Sequence, residues 1–294
     1  MRLYVTGASG FVGGRVVAAL EARGADVRTD FVELHDTGGL ERVLRGCDAV
    51  LHVAALYSYS ADPALLEAVN VEGTRRLLDA AVRTGIRRVV HTSTAGTCGP
   101  VAGRAATEED SPPAWELVVP YKRTKLEAER LVLAAARDGV DAVVVNPTTP
   151  VGVGDRRPTP TGAMISGVAC GRIRGYVVST GLNVVDVRDV GIGHALALEH
   201  GRRGERYLLG GVNLTLRELF AAVAALAGRP APRLRVPYTA ARGAAAIRLV
   251  NPNEVQLARL PMYFDCSKAE RELGYRPGPV EPALAAAVRE ALES

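Results

Sequence analysis

Lysine is almost missing from this chain. Of its 36 basic residues 33 are arginine, and the lysines are Lys122, Lys125 and Lys268. The arginines spread along the whole length without a basic stripe, and aromatics make up only 5% of the chain. That distribution excludes the clustered basic face of a nucleic-acid binder. Cysteine is scarce too. Cys47, Cys98, Cys170 and Cys266 stand far apart and form no CxxC or Cys/His cluster, which excludes a zinc site and a disulfide framework. No apolar run approaches the ~18 residues of a membrane span, so no membrane partner is expected. Met1 leads straight into RLYVTG, from which no signal segment is expected, and a cytoplasmic protein with free thiols is the expectation. What remains is ordinary: 294 residues, 48% hydrophobic, 23% charged, net charge +4. That is enough chain for one large domain or two modest ones.

Short β-branched runs alternate with longer amphipathic ones. RLYVTG reads as a strand, GFVGGRVVAALEARG as a helix, DAVLHVAA as a buried strand and PALLEAVNVEGTRRLLDAAVRTG as a single long helix. IRRVVHTST then reads as a strand, YKRTKLEAERLVLAAARDG as a helix and DAVVVNPTTP as a strand. The helices close on Gly24, Gly85 and Gly139, as C-terminal caps do. This alternation predicts right-handed βαβ units, hence an α/β fold with a doubly wound parallel sheet of Rossmann type. After about residue 150 the pattern loosens towards helices. The predicted division is a nucleotide-binding domain over 1–150, to which some later segments return, and a smaller, mostly helical substrate-binding part over 151–294.

In VTGASGFVGG, Gly7, Gly10 and Gly13 fall directly between the first strand and the first helix. The first glycine permits a tight turn, the second lets backbone approach a pyrophosphate, and the third lets helix and strand pack closely while the helix N-terminus faces the anion. Tyr121 and Lys125 lie one helical turn apart and share a face. An ammonium can lower the pKa of a neighbouring phenol and hydrogen-bond a ribose; a guanidinium differs in shape and stays charged. Tyrosine, ordinarily near ~10, needs such a shift to act as acid or base around neutrality. This accounts for lysine at 125, while Lys122, on another face, is expected to have no such role. Thr92, Ser93, Thr94 and Thr97 place four hydroxyls at the end of the preceding strand. His52 is expected to be buried against backbone rather than catalytic.

The GxxGxxG spacing, the Tyr-x-x-x-Lys pair and HTSTAGT together resemble the extended short-chain dehydrogenase/reductases, the NAD-dependent epimerase/dehydratase superfamily. Within it, YKRTKLEAE, VNPTTPVGVGDRRPTPTG, GLNVVDVRDV, ERYLLGGVNLTLRELF and DCSKAERELGY resemble the hopanoid-associated sugar-epimerase-like proteins, with dihydroflavonol 4-reductase-like proteins close behind. The resemblance implies an oxidoreductase that moves hydride between the nicotinamide of NAD or NADP and a carbinol or carbonyl carbon of a small polar substrate. Tyr121 would be its general acid/base and Lys125 the residue that lowers the tyrosine pKa. Thr94, the hydroxyl before Ala, would orient substrate, with Ser93 as the alternative, and Asn70 would support a proton relay. It places the cofactor along Gly7, Ser9, Gly10, Phe11, Val12, Gly13, Ala54, Ala55, Thr92, Tyr121, Lys125, Pro147 and Thr148, with Glu33 and Leu34 at the adenine. It places substrate against Tyr57, Thr94, Thr97, Tyr121, Arg156, Arg157 and Tyr176, with no metal. A homodimer through the two long helices bearing Asn70 and Tyr121 is the expected assembly. The alternatives are an epimerase or dehydratase with transient oxidation, and a non-catalytic nicotinamide-binding regulator, which would be expected to lose the tyrosine or the lysine. One departure stands out. ADVRTDFVELHD is too short for the second strand, connection and third strand of a typical member, and it leaves NAD versus NADP open.

Overall fold

Successive strand residues face opposite sides of a sheet, and in β1 (Arg2–Thr6) both sides are apolar: Leu3 and Val5 enter one core, Tyr4 the other. β3 (Ala49–His52), β4 (Arg88–Thr92) and β5 (Ala142–Pro147) repeat the pattern and are buried almost throughout. Strands apolar on both faces need helices on both faces. The computed structural model, which describes residues 1–156 and 158–293, supplies them. α1 (Phe11–Glu21) and the helix Val187–His200 cover one face; α2 (Thr37–Leu44), α4 (Gly73–Thr84) and α5 (Pro120–Arg137) cover the other. Among the described residues six parallel strands form the sheet, in the order β2 (Asp26–Arg28), β1, β3, β4, β5 and Arg206–Leu209. The chain leaves β1 towards one edge and returns on the other side to β3, so the crevice at the carboxyl ends of β1 and β3 is the switch point where such sheets take ligands.

The run read as a single long helix is interrupted. Between α3 (Pro63–Leu66) and α4 the backbone is π-helical over Glu67–Glu72, and Asn70 lies in this widened turn. The apolar stripes of this run and of α5, expected to meet across a two-fold axis, are largely used inside the protomer, where Leu77, Leu78 and Val132 are buried against the sheet. The short segment after β2 also has a structural counterpart. In the doubly wound order another strand lies outside the second one. Here β2 is the edge, and the chain runs directly to Asp36, the N-cap of α2. Leu34, expected at the adenine, packs on α4, where an added Cβ at Gly73 would stand 2.7 Å from its Cδ1.

Beyond β5, strands Val212–Thr215, Gly181–Asp186 and Thr149–Val151 form a second small sheet, so this part is less purely helical than the sequence suggests. Its core, with Val151, Ile165, Val184, Phe220 and Leu284, is separate from the two cores of the main sheet. Val187–His200 and Arg206–Leu209 cross back to the main sheet. The return is made possible at Gly191, where any Cβ would overlap the Arg15 carbonyl of α1. Gly191→Ala is therefore expected to lower stability by about 1–3 kcal/mol through overpacking; an unchanged denaturation midpoint would show that α1 and its partner helix are not held this closely.

Candidate active site

The glycine turn opens onto the switch point. Gly7 has φ +68°, and a Cβ there would stand 2.8 Å from the Ala54 backbone nitrogen, so only glycine lets the end of β1 approach the end of β3. A Cβ at Gly13 would overlap the Gly7 carbonyl, which closes α1 onto the turn. Ser9 and Gly10 are exposed and Phe11 and Val12 partly so. The α1 N-cap, Gly10, carries no side-chain cap, and the first turn holds no acidic residue. These uncapped N–H groups suit a pyrophosphate, and the residues present therefore fit a dinucleotide.

From β1 a chain of hydrogen bonds runs to α5. Thr6 Oγ1 accepts from the Val53 and Ala54 amides, each at 3.0 Å. Thr74 donates its hydroxyl proton to the Asn70 carbonyl at 2.7 Å, so its oxygen must accept from His52 Nε2 at 3.1 Å. His52 Nδ1 then accepts from Thr6 Oγ1 at 2.9 Å. Burial, helped by the Lys125 charge, pushes His52 down to about 3, so this neutral tautomer persists and the residue is structural. Asn70 Oδ1 accepts from the Leu56 amide at 2.8 Å, and its Nδ2 donates to the Leu56 carbonyl and to Thr124 Oγ1. Asn70 thereby ties the loop after β3 to the helix carrying Tyr121.

Lys125 is buried, and its Nζ donates to the Thr92 carbonyl at 2.8 Å. Desolvation lowers its pKa to about 8. Tyr121 is buried beneath Tyr57, whose ring lies 4.6 Å away centroid to centroid, and beside Tyr59 at 5.9 Å. The expected lowering of the phenol by Lys125 is not realised in this arrangement: burial, with Tyr57 alongside, raises the Tyr121 pKa. Thr94 is the partly exposed hydroxyl of the strand end and caps the short turn Ala95–Thr97, accepting from Gly96 N at 3.3 Å. Ser93 is buried, and its Oγ has no hydrogen-bond partner among the described residues.

Two of the expected ligands are committed elsewhere. The Thr97 hydroxyl donates to Glu129 at 2.6 Å and accepts from Asn146 at 2.9 Å, so it is not free for substrate. Thr92 donates to His194 Nε2 at 2.8 Å, because His194 Nδ1 is taken by the Val190 carbonyl. Thr92 therefore serves as the carbonyl acceptor of Lys125 rather than through its side chain. Glu129, unsuspected from the sequence, also accepts from Asn146 Nδ2 at 2.7 Å and pairs with Arg206 at 3.0 Å. Lys122, given no part at the tyrosine by the sequence, has a structural place instead. It is buried, its Nζ stands 3.6 Å from Glu116, and it passes over Gly96, where a Cβ would overlap it. A glycine two residues after Thr94 was the available signal.

The remaining candidates are dispersed. Ala54 and Ala55 lie at the switch point after β3, and Pro147 and Thr148 at the end of β5, where the Thr148 amide donates to the Leu209 carbonyl. Glu33 is exposed beyond β2. Arg156 is exposed, but the charge of its neighbour Asp155 helps raise the Tyr57 phenol, which brings that loop within electrostatic reach of the tyrosines. Tyr176 packs edge-on against Phe220 in the C-terminal core. Arg157 lies outside the described residues.

Comparisons with known proteins agree with this geometry. The family described as "NAD dependent epimerase/dehydratase family" matches residues 3–210. A dihydroflavonol 4-reductase-like protein of Synechocystis is 37% identical over 320 aligned positions, covering 97% of this chain and 93% of that protein. The alignment is longer than the 294-residue chain, so that relative carries residues with no counterpart here. Sterol demethylase protein B of Methylococcus capsulatus is 34% identical, covering 98% and 97%. The dTDP-glucose 4,6-dehydratase DesIV of Streptomyces venezuelae, solved with NAD bound, superposes with a TM-score of 0.84 at 27% identity, covering 100% of this chain and 98% of its own.

Two outcomes test the buried charges. Below pH 8 Lys125 holds an unfavourable buried charge, while the unfolded chain keeps its proton up to about 10.5, so stability rises with pH between those values. Measured against Lys125→Met, which lacks the group, wild type should gain roughly 3 kcal/mol across this window; parallel curves would show that the ammonium is not desolvated. Glu129→Ala leaves Arg206 without its partner and should lower stability by about 3–5 kcal/mol, a loss that denaturant titration would reveal or refute.

Proposed function

The chain belongs to the NAD dependent epimerase/dehydratase family and is an NAD(P)-dependent enzyme of the extended short-chain dehydrogenase/reductase type; from that premise we propose that it catalyses net reduction or oxidation at a single ketone or secondary-alcohol carbon. The observation that carries the reading is the placement of Tyr121. It stands one helical turn from the buried Lys125, beneath Tyr57 and beside Tyr59. The nicotinamide, when bound, supplies the hydride chemistry. Tyr121, kept protonated by burial, donates its proton to the oxygen of a carbonyl as that carbon is reduced. Thr94 orients that oxygen by a hydrogen bond, and the Lys125 ammonium offsets the negative charge left on the phenolate and would hold the nicotinamide ribose. Asn70 fixes the loop and helix between which substrate sits.

The expectation of a small polar substrate is revised. Tyr57 and Tyr59 present aromatic faces and edges at Tyr121, a lining that favours an apolar ring system over a sugar. The names of two relatives, one a dihydroflavonol 4-reductase by likeness and one a sterol demethylase protein, point the same way. The missing strand beside β2 leaves less protein to grip the adenosine half, which favours a cofactor that exchanges between turnovers over one retained for internal epimerisation.

The test is calorimetric titration with NAD, NADH, NADP and NADPH, followed by assay of polycyclic ketones and secondary alcohols beside nucleotide sugars. Tyr121→Phe should keep cofactor affinity while turnover falls about 100-fold or more. Folded protein free of nucleotide that binds none of the four would refute the reading. Protein purified with tightly held nicotinamide and active on nucleotide sugars would replace it with the epimerase.

A further inference from the structure

The chain between helices Tyr238–Ala246 and Pro252–Leu257 turns its apolar residues outward. Ile247, Leu249 and Val250 are 69%, 74% and 44% exposed. Arg248, among them, has φ +56°, a left-handed conformation that non-glycine residues rarely adopt. Single exposed apolar side chains are commonplace on protein surfaces, but three within four successive positions form a patch. Beside them lies a cavity of about 720 Å³. The cavity wall includes Leu249, Val250, Leu66, Pro120 and Tyr59, and the Tyr59 ring lies 5.9 Å from that of Tyr121. The apolar rim is thus continuous with the candidate active site.

Charge identifies what covers the rim. Residues 229–259 hold six arginines, all exposed, against one acid, Glu254. Arg242 lies on the exposed face of its helix with Thr239, Gly243 and Ala246, a face that leads directly into 247–250. Neither Arg242 nor Arg248 is in an ion pair among the described residues. A second copy of the chain seated here by two-fold symmetry would set these arginines against their own equivalents with little acid to offset them. A surface of anionic headgroups over hydrocarbon satisfies both the cations and the apolar side chains. Among the described residues no helix is long and apolar enough to cross a bilayer, so any such contact is peripheral. The expectation of no membrane partner came from run lengths, which address spanning and not docking.

We propose that this rim docks on an anionic lipid surface. Ile247, Leu249 and Val250 enter the interfacial layer, Arg242 and Arg248 meet lipid phosphates, and the cavity behind them passes a lipid-dissolved substrate to Tyr59 and Tyr121. The delivery half rests on the function proposed for Tyr121; the docking half stands without it.

Co-sedimentation of the full chain with phosphatidylglycerol-containing vesicles, beside pure phosphatidylcholine vesicles, tests it. Wild type should partition onto the anionic vesicles and much less onto the neutral ones, and rising salt should release it. The triple variant Ile247→Ser, Leu249→Ser, Val250→Ser should reduce partition by about tenfold or more. The double variant Arg242→Gln, Arg248→Gln should reduce it too and flatten the salt dependence. These positions are exposed, so circular dichroism and melting should match wild type, and the arginine pair gives an independent check if the serine variant does not fold. Tyr121→Phe should bind vesicles like wild type, which separates failure of docking from failure of the catalytic reading. Folded wild type that ignores anionic vesicles overturns the proposal, as does undiminished binding by the triple variant. Light scattering that shows a dimer dissolved by the serine substitutions also overturns it, assigning the rim to a second copy.

Discussion

A single buried carboxylate sets the geometry around the candidate site. Glu129, on α5, accepts hydrogen bonds from Thr97 in the turn after β4 and from Asn146 in β5, and it pairs with Arg206 in the last strand of the sheet. Three other elements each contribute a donor to this one group of α5. A buried charge is tolerable only when so surrounded, and the arrangement is therefore close to all-or-none. The Thr97 backbone amide donates to the Thr94 carbonyl at 3.0 Å. The Thr94 backbone is fixed from below, and its side chain is the hydroxyl left partly open.

The electrostatics above this anchor are simple. His52, His91 and His194 are all buried and held neutral, with the Lys125 ammonium pushing the first two further down. Thr6 and Thr74 occupy the two ring nitrogens of His52, and the Val190 carbonyl fixes the tautomer of His194. Lys125 thus lies among neutral imidazoles, with the Glu129 carboxylate the charge that partly offsets its desolvation.

The parts of this molecule legible in the sequence are those governed by neighbours in the chain. Alternating apolar strands, a glycine turn at the first strand end and a tyrosine one turn before a lysine are local patterns, and the parallel sheet and the Tyr121–Lys125 face follow from them. Position 122 shows where that reasoning stops. Helical periodicity puts Lys122 off the Tyr121–Lys125 face, but whether that other face meets water depends on the loop that brings Glu116 over it and on the missing Cβ of Gly96. Thr97 failed for a similar reason, since four hydroxyls in six residues look alike until Glu129 and Asn146 choose one. The π-helical turn at Asn70 was equally hidden: side-chain bonds to Leu56, Thr74 and Thr124 support a backbone pattern that the apolar periodicity does not encode.

The abbreviated side of the sheet has a colloidal consequence. Losing an outer strand leaves β2 with an unpaired flank of amides and carbonyls, the kind of surface on which chains add to one another. β2, however, offers only Asp26–Arg28, and its charges are already engaged, Asp26 with Arg2 and Arg28 with Asp30. A strand arriving from another molecule would gain few ladder bonds and would have to disturb both ion pairs. The shortening therefore exposes an edge without creating a template, and the protein can remain dispersed at concentrations where a longer bare strand would seed precipitation.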